Sequence, residues 1–485
     1  MAKADSFQDI ALAPPPTGTD LWRWLYEGLR SAILDGRLRS GTKLPSSRNL
    51  AAQYRVSRGT VTMAFDQLLL EGYITSRVGS GTFVSSRTPP LQPRPPASPR
   101  RFPSAVWKRL EAVEVLAAPK WPARAFRAFE PALDLFPTQL WARTAARVLR
   151  NAPRSIYGHG DAAGYAPLRR AIADYVGHAR AVRCSPEQVL ITSGTQQALD
   201  LVSRLLLAPG DQVWMEDPGY PLARHALQNY GAHIVPVPVD HDGLIVSVGK
   251  ALAPHAKLAY VTPANQFPLG FTMIAERRIA LLDWAKKSGA WIIEDDYDAE
   301  YRYFGHPVAS LQSVDHSGSV IYVGTFTKML FNALRLGFLI LPGNLVEPFE
   351  RARSLVDRHP PTLDQAILAE FILEGHFGRH VRKMRQTYSE RMLALKAAAD
   401  KHLTGLLDVV PAAAGMKTIG WLPPKLSDSD IARRAVEKKL EVLPLSSFAW
   451  QYQQQPALIL GFAGITEPEL LRGVQCLSKV LSAAT

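Results

Sequence analysis

The 485-residue sequence predicts two domains of different classes: a small helical domain that ends in a β-hairpin, and a large α/β domain with a mostly parallel sheet. Residues 19–88 contain three short amphipathic segments followed by an alternating stretch. Residues 130–485 instead alternate apolar strand-like runs with helical stretches. Between them, residues 89–103 hold seven prolines in fifteen positions, which remove backbone donors and exclude a helix. We therefore predict a Pro/Arg-rich linker over residues 89–129 and a flexible N-terminus over residues 1–18.

Composition excludes several classes of protein. No run of 18 or more apolar residues occurs, so we expect no membrane span. The N-terminus lacks the basic start and apolar stretch of a secretory signal. Cys184 and Cys476 lie far apart and form no metal or disulfide pattern, which indicates a reducing cytoplasm and predicts no metal site.

The basic charge is concentrated at one end of the chain. The net charge is +13, with +4 in residues 1–88 (11 Lys/Arg against 7 Asp/Glu) and +6 in residues 89–129 (8 against 2). The remaining residues carry only +3. This distribution predicts a polyanion partner for the first quarter of the chain, with a merely solvated surface as the alternative.

Local patterns predict each element of the small domain. Apolar residues at helical spacing between Leu21 and Ile33 predict a first helix. A short second helix begins at a Ser46 or Ser47 cap, and a third begins at the cap residue Ser57 and ends at Gly72. The stretch YITSRVGSGTFV alternates around GSG, which is typical of a β-hairpin. Three helices and a hairpin together predict a winged helix-turn-helix.

The start of the third helix favours DNA binding over a plain helical bundle. Ser57, Arg58 and Thr60 stand where a recognition helix presents side chains and free backbone N–H groups to a groove. The apolar side of the same helix faces inward. We therefore predict that this domain binds double-stranded DNA.

The run KLPSSRNLAAQYRVSRGTVTMAFDQLLLEGYITSRVGSGTFV resembles the DNA-binding domain of the GntR family over essentially its whole length. The resemblance implies operator DNA as the partner, with contacts from the helices and from a glycine-rich wing tip near the minor groove. Arg58 is the residue expected to read guanine through two hydrogen bonds. The implied DNA contacts are Lys43, Arg48, Ser57, Arg58, Thr60, Gly79, Gly81 and Thr82.

Five strand-like runs define the large domain: QVLITSG, DQVWMED, LAYVTP, AWIIEDDYD and SVIYVGTFTK. Amphipathic segments separate them, which predicts a parallel sheet with helices on both faces. Ligands bind such sheets at the carboxyl ends of the strands. Because the polar residues of interest all follow strand ends, we expect them to share one site.

Two of these strand ends have competing explanations. Ser193, Gly194 and Thr195 turn the first strand into a helix whose free N–H groups suit a phosphate, although an ordinary capped helix explains the same residues. Asp295 ends a buried strand, where a carboxylate requires a donor or a cation such as a protonated ring nitrogen. A structural salt bridge would satisfy it equally.

Lys328 follows the end of another buried strand. Burial should lower its pKa and leave a free amine able to form a Schiff base. Thr325 and Arg335 are placed to add phosphate contacts beside it. A lone lysine is ordinarily a solvated loop residue. A phosphate cradle, a carboxylate for a pyridinium nitrogen and an amine are, however, together the parts that pyridoxal phosphate requires.

Residues 130–480 resemble the fold-type I aminotransferases, and the two halves together resemble the MocR subgroup of GntR regulators. The resemblance implies pyridoxal 5′-phosphate as cofactor and Lys328 as its Schiff-base lysine, the one predicted catalytic residue. It also implies a homodimer, because Tyr157 matches a residue that reaches the site from the partner subunit. The remaining implied cofactor contacts are Asp295 on the pyridine nitrogen, Tyr297 on the phenolic oxygen, Tyr220 on the ring, and Ser193, Gly194, Thr195, Thr325 and Arg335 around the phosphate.

Two departures from the aminotransferase pattern affect the functional prediction. In TPANQFPLG, Asn265 stands where histidine is common and Leu269 where a small hydroxyl is common, and we expect Asn265 or Gln266 to touch the cofactor. In ALILGFAG, Ile459 stands near the position where aminotransferases place the arginine that holds a substrate carboxylate. The missing guanidinium weakens the case for efficient transamination, so enzymatic activity stays open.

Three functions are compatible with this sequence. The preferred hypothesis is a transcriptional regulator that senses pyridoxal phosphate or an amine effector through a Schiff base on Lys328. The first alternative is an active aminotransferase with an appended DNA-binding domain, against which Ile459 counts. The second is a cofactor-free dimerisation scaffold, which has no need for Lys328 or Asp295.

Overall fold

The computed structural model describes residues 12–15, 18–77, 79–86, 122–306 and 308–484. The chain divides into two compact units, Met1–Phe102 and Pro103–Thr485. Most of the predicted flexible N-terminus, and the predicted linker as far as residue 121, lie outside the described residues.

The small unit is a winged helix-turn-helix, as predicted. Buried leucines and valines of all three helices meet in one core, with Leu29, Leu50 and Val61 fully buried. The two strands pair antiparallel, with Ile74 opposite Val84. The helices are α1 (Leu21–Leu34), α2 (Ser47–Tyr54) and α3 (Arg58–Leu70), and the strands are β1 (Ile74–Arg77) and β2 (Gly81–Val84).

The large unit is built on an eight-stranded, mostly parallel sheet, which confirms the predicted fold class. Its order is β3-β10-β9-β8-β7-β4-β5-β6. Strands β5, β4, β7, β8 and β9 run parallel, whereas β10 is antiparallel to both β3 and β9. The strands are β3 (Val189–Thr192), β4 (Gln212–Asp217), β5 (His233–Asp240), β6 (Gly243–Leu244), β7 (Leu258–Val261), β8 (Trp291–Asp296), β9 (Val320–Thr325) and β10 (Gly337–Ile340).

Helices cover both faces of this sheet. Ile293 packs in the core beneath α6, α7 and α10, whereas its neighbour Ile292 packs on the opposite face beneath α8 and α9. None of the described helices is long and apolar enough to cross a bilayer. The helices of the large unit are α4 (Thr138–Asn151), α5 (Ala166–Arg180), α6 (Thr195–Leu206), α7 (Pro221–Asn229), α8 (Val246–Leu252), α9 (Ala275–Ser288), α10 (Val346–Asp357), α11 (Thr362–Leu373), α12 (His376–His402), α13 (Asp428–Glu437) and α14 (Glu467–Ser482).

A second, four-stranded antiparallel sheet lies near the C-terminus, in the order β11-β12-β14-β13. Strand β12 pairs with β14 so that Lys417 lies opposite Gly461 and Ile419 opposite Ile459. Directly opposed residues share a face of a sheet, so these four positions face the same side. Its strands are β11 (Asp408–Val409), β12 (Lys417–Trp421), β13 (Leu443–Pro444) and β14 (Ala457–Gly461).

The last residues of the predicted linker, 122–129, lie within the described chain. Residues 122–130, which we call the N-terminal strap, pack against the large unit. Phe126 is fully buried, and its carbonyl accepts a hydrogen bond from Gly461 N at 2.9 Å. Arg127 forms an ion pair with Glu441. The large unit therefore includes residues that their proline- and arginine-rich context assigned to the linker.

Candidate cofactor site and DNA-binding face

The sheet brings the three predicted strand ends together. In β10, Gly337 pairs with Thr192 at the end of β3 on one side and with Thr325 at the end of β9 on the other. Strand β9 in turn pairs with β8, whose last residues include Asp295. The predicted phosphate, lysine and carboxylate residues thus lie along one edge, as the parallel arrangement requires.

Two glycines shape the predicted phosphate cradle. Gly194 has φ +110°, and a Cβ atom there would lie 3.3 Å from Nη2 of Arg335. A Cβ atom on Gly337 would lie 2.8 Å from the Cα atom of Gly194. Helix α6 begins at Thr195, so its first N–H groups and its dipole point into this corner.

The other cradle residues differ in what they offer. Arg335 is exposed and holds a left-handed backbone (φ +50°), a conformation that costs energy for a residue with a side chain and is often found at ligand sites. Thr325 and Thr327 are buried and hydrogen-bonded to each other through their hydroxyls. The Ser193 N–H donates to Gln197 Oε1 at 2.7 Å, so this amide is already satisfied.

Asp295 has one satisfied and one unsatisfied oxygen. Tyr260 donates its hydroxyl to Oδ2 at 2.7 Å, whereas Oδ1 has no partner among the described residues. Burial raises the pKa of Asp295 to about 7, with further upward contributions from Asp296 and Asp298. A protonated pyridine nitrogen would supply both the missing donor and the missing positive charge.

The structural salt bridge at this strand end belongs to the neighbouring carboxylate. Arg180 Nε lies 2.6 Å from Asp296 Oδ2, which also accepts from the Tyr322 hydroxyl at 2.7 Å. No cation forms an ion pair with Asp295 within the described chain. The geometry therefore favours a ligand partner for Asp295 over the salt-bridge alternative.

Aromatic rings surround the space between these groups. Phe267 lies at their centre, with its ring centroid 5.1 Å from that of Tyr220 and 5.8 Å from that of Tyr297. Phe129 of the strap stacks on Phe267 at 5.1 Å and 18°. These rings provide the apolar walls that a flat aromatic cofactor requires.

Asn265, and not Gln266, is directed toward the predicted cofactor contacts. The Tyr297 hydroxyl donates to the Asn265 carbonyl at 3.1 Å, and Asn265 Nδ2 donates to Asp298 Oδ1 at 2.7 Å. Gln266 Nε2 instead donates to the backbone carbonyl of Pro218 at 2.9 Å, which is a structural role. Leu269 is buried.

Lys328 is half-buried and engaged with the strap. Its Nζ donates to the Phe129 carbonyl at 2.9 Å and to Asn332 Oδ1 at 3.3 Å. Burial lowers the pKa of Lys328 to about 8, while the nearby Glu130 and Asp298 carboxylates oppose that shift. The shift has the predicted direction and leaves an appreciable fraction of free amine near neutral pH.

Of two further positions discussed in the sequence analysis, Tyr157 lies outside this cluster and Ile459 offers no polar group. The Tyr157 side chain is 61% exposed, and its hydroxyl donates to the Leu149 carbonyl at 3.2 Å, so its contact with a partner subunit's site stays a prediction. Ile459 is fully buried in β14 among apolar residues. Position 459 therefore offers no cation to a carboxylate.

The sequence analysis missed several residues of the site. Phe129 is the last residue of the segment read as linker, and Glu130 follows it. Tyr260 is a single polar residue within the apolar strand β7, and Lys417 is the first residue of β12. The role of Tyr260 could have been predicted from strand pairing. Strand β7 pairs in parallel with β8, so that Tyr260 lies opposite Ile293, close to Asp295 at the end of β8. For Lys417 the only signal was one lysine within MKTIGWL.

The predicted DNA contacts form an outward face of the small unit. The Ser57 side chain caps α3 by accepting from Thr60 N at 3.0 Å, which leaves other N–H groups of the first turn free. Arg58 and Arg48 are exposed, and Arg58 Nε donates to Ser47 Oγ at 3.3 Å. The turn between α2 and α3 includes Arg55, an exposed basic residue that was not predicted.

The wing continues this face. Gly79 and Gly81 have φ +77° and +107°, which glycine adopts without strain. The exposed Lys43 forms a β-bridge with Phe83 and places its ammonium 5.9 Å from that ring's centroid. Thr82 is half-exposed beside the tip. All eight predicted DNA contacts are thus at least partly accessible to solvent.

Comparisons with known proteins identify both units. Residues 23–84 match the gntR family of bacterial regulatory proteins, and residues 131–477 match the family of class I and II aminotransferases. The chain is 40% identical to the probable rhizopine catabolism regulatory protein MocR of Rhizobium meliloti, over 95% of this chain and 94% of that protein. It is 31% identical to the pyridoxine biosynthesis transcriptional regulator PdxR of Corynebacterium glutamicum, over 79% of each chain.

The large unit also matches solved structures. The α-aminoadipate aminotransferase LysN of Thermus thermophilus, solved with N-(5′-phosphopyridoxyl)-L-leucine, superposes with a TM-score of 0.68 at 30% identity, over 74% of this chain and 92% of that one. The aminotransferase family implies pyridoxal phosphate as the cofactor, and the unsatisfied Asp295 oxygen and the cradle beside Arg335 fit that group. The chain therefore belongs to the MocR-type regulators of the GntR family, in which a winged helix-turn-helix precedes a fold-type I aminotransferase domain.

Proposed function

We propose that this protein is a transcriptional regulator that binds operator DNA through its winged helix-turn-helix and senses pyridoxal phosphate or an amine effector through a Schiff base on Lys328. When bound, pyridoxal phosphate supplies an aldehyde carbon that bonds reversibly to primary amines. The chain supplies the rest. Asp295 would hold the ring nitrogen in its protonated form, and Tyr220 would pack on the ring. The phosphate would be held at the start of α6 by Gly194, Thr195, Thr325 and Arg335.

The observation that carries this proposal is the hydrogen bond from Lys328 to the strap. Its acceptor, the Phe129 carbonyl, belongs to a residue with a left-handed backbone (φ +63°). A Schiff base on Lys328 would leave its nitrogen with fewer protons to donate, so the hydrogen bond to the Phe129 carbonyl would be weakened or lost. The chain that precedes the strap leads to the DNA-binding domain.

This contact supports a coupling between the cofactor site and the DNA-binding domain. Glu130, the next residue of the strap, is buried and electrostatically attracted to Lys328. Changing the charge of Lys328 therefore changes the energy of the strap in its present position. Such coupling regulates DNA binding only if the effector favours one arrangement of the strap over the other.

Two further parts of the proposal concern assembly and catalysis. We expect a homodimer in which the exposed Tyr157 reaches the partner's cofactor site. Efficient transamination is disfavoured, because buried Ile459 cannot supply the bidentate guanidinium that orients a substrate carboxylate. Regulation is therefore the function that the site supports best.

Reduction with borohydride tests the sensing part. Protein incubated with pyridoxal phosphate and then reduced should carry the phosphopyridoxyl group on the peptide that contains Lys328, as mapped by mass spectrometry. Lys328→Ala should carry no phosphopyridoxyl group on that peptide. The matched control Lys250→Ala, a change at an exposed position, should be labelled as the parent protein is. Labelling elsewhere, or none, would refute the proposal.

Operator binding tests the DNA part. Arg58→Ala should weaken binding to a specific operator by about 1–3 kcal/mol and relax its sequence preference if Arg58 reads a base. Arg48→Ala should instead weaken binding to specific and random duplexes alike, because a phosphate contact carries no sequence information. The measurement is fluorescence anisotropy at several salt concentrations. An Arg58 variant that binds both duplexes as the parent does would exclude this assignment.

A further inference from the structure

Beside half-buried Lys328, the predicted cofactor site contains a fully enclosed lysine to which the proposed function assigns no role. Lys417 begins β12 and is 3% exposed, and its Nζ donates a hydrogen bond to the Pro268 carbonyl at 2.7 Å. An ammonium has three donors, and this is the one hydrogen bond that Lys417 makes within the described chain. A buried cation that lacks a direct counterion costs folding energy, so its partner is expected to be a ligand.

Lys417 and Lys328 flank the same aromatic ring. Their Nζ atoms lie 5.8 Å and 6.0 Å from the ring centroid of Phe129, and the Nζ of Lys417 also lies 5.8 Å from that of Phe267. Phe267 in turn contacts Tyr220 and Tyr297, the rings expected to bound the cofactor. Lys417 therefore lies beside the rings that are expected to bound the cofactor.

In the small sheet, Lys417 lies close to Ile459, the position at which β14 lacks the arginine of the aminotransferases. In β12 and β14, Lys417 lies opposite Gly461, two residues from the opposed pair of Ile419 and Ile459. Residues two apart in a strand share a face, so Lys417 projects from the same face as Ile459. The chain thus presents a cation from the neighbouring strand on the face where Ile459 offers none.

Two arginines of the large unit already have partners, whereas one buried carboxylate keeps an oxygen without a partner among the described residues. Arg127 forms its ion pair with Glu441, and Arg302 Nη2 donates to the Thr272 hydroxyl at 2.8 Å. Asp298 attracts Lys417 electrostatically; its Oδ1 accepts from Asn265, its Oδ2 has no hydrogen-bond partner among the described residues, and no ion pair with Lys417 forms within them. Burial lowers the pKa of Lys417 to about 8, so the side chain remains mostly protonated at neutral pH.

We propose that Lys417 binds an acidic group of the effector, so that the molecule sensed at Lys328 is an amino acid whose carboxylate pairs with Lys417. This inference rests on the proposed function, since it places the effector's amine at the carbon otherwise joined to Lys328. A single ammonium is a point charge without the planar fork of arginine, so it accepts carboxylates over a wider range of orientations. Lys417 is accordingly a specificity-determining residue.

The test uses full-length protein loaded with pyridoxal phosphate and three matched probe pairs: glycine with methylamine, β-alanine with ethylamine, and 4-aminobutanoate with propylamine. Each pair shares its amine chain and differs by the carboxylate. Half-saturating concentrations are read from the absorbance change of the bound cofactor and compared at equal concentrations of unprotonated amine. In the parent protein, the acidic member of at least one pair should act at a concentration at least about tenfold lower than its partner.

Variants assign that preference to Lys417. Lys417→Met should weaken only the response to the acidic probe, so that the two members of a pair act at about the same concentration. Lys417→Arg should retain a preference for the acid. The exposed-site control Lys250→Met should behave as the parent. Borohydride reduction must first show that each variant carries the cofactor on Lys328. If Lys417→Met fails to fold, Lys417→Gln replaces it.

The outcomes separate the two proposals. A preference for the acid in no pair, or one that Lys417→Met and Lys417→Gln leave intact, would overturn the role of Lys417 while amine sensing survives. A cofactor spectrum that responds to none of the six probes would overturn this inference and leave pyridoxal phosphate itself as the ligand sensed. If borohydride traps no cofactor on Lys328 of the parent protein, the proposed function is refuted as well.

Discussion

At the residue scale, neighbouring side chains of the same type have opposite environments. Asp295 and Asp296 are consecutive residues at the end of β8, and each keeps one oxygen without a hydrogen-bond partner among the described residues, yet Asp296 forms an ion pair with Arg180 whereas Asp295 forms none there. The alternation of a strand explains this difference, because successive side chains point to opposite faces of the sheet. One face holds a structural ion pair, and the other faces the cofactor space.

The first prediction concerns Asp295→Asn. The folded-state pKa of Asp295, about 7, exceeds its unfolded value, so in the cofactor-free protein this group lowers stability as pH rises from about 4 to 7. The asparagine amide cannot ionise, so the variant should not lose stability in this way as the pH rises. Cofactor-free Asp295→Asn should therefore be at least as stable as the parent at pH 8, while its affinity for pyridoxal phosphate falls at least about tenfold.

Thermal unfolding at pH 5 and pH 8, with and without pyridoxal phosphate, measures both effects. Asp296→Asn is the matched control. It breaks the ion pair with Arg180 and should destabilise the protein whether or not the cofactor is present. If Asp295→Asn binds pyridoxal phosphate as tightly as the parent, the carboxylate does not hold the ring nitrogen.

At the element scale, the strap joins the two sheets of the large unit. Phe126 forms a β-bridge with Gly461 of the small sheet, and Phe129 accepts the hydrogen bond from Lys328 next to the large sheet. Position 461 admits no side chain, since a Cβ atom there would lie 2.0 Å from the Arg127 carbonyl oxygen. Close packing against Gly461 thus fixes where the strap lies.

The second prediction is that Gly461→Ala displaces the strap. The added methyl collides with backbone, which should lower the free energy of unfolding by about 1–3 kcal/mol and expose the strap to proteases. Gly378→Ala is the control, because nothing lies within 4 Å of a Cβ atom at that helical position of α12. The control should raise stability by up to about 1 kcal/mol. Equal stability and equal cleavage of both variants would show that the strap is not held here.

The sequence predicted the elements whose local pattern matches their final environment. Helix periodicity, the Ser57 cap and the glycines of the wing lie in a unit whose contacts are mostly local. Polar residues after strand ends led to the prediction that Lys328 and Asp295 share one site, and the strands that carry them, β9 and β8, are neighbours in the sheet. The strap escaped prediction because its burial depends on Gly461, which is distant in the sequence. Lys417 escaped for the same reason, since only the pairing of β12 with β14 places it beside the cofactor space.

At the scale of the whole molecule, the two units have separate cores. The core of the small unit is composed of residues between Leu25 and Val84, and no residue of the large unit belongs to it within the described chain. Residues 89–103, which lie between the two units in the sequence, contain seven prolines. Most of the basic excess lies in the first 129 residues, and the predicted cofactor residues lie in the rest, so the two proposed functions occupy different parts of the chain.

Because the cores are separate, we predict two unfolding transitions in calorimetry of the full chain. A ligand stabilises the unit that binds it, by about 2.7 kcal/mol when its concentration is about 100 times its dissociation constant. Pyridoxal phosphate should therefore raise the transition of the large unit, and operator DNA should raise that of the small unit. Lys328→Ala should weaken the first effect and leave the second unchanged. A single transition that both ligands raise together would show instead that the units unfold as one, in which case the strap couples them more tightly than their separate cores require.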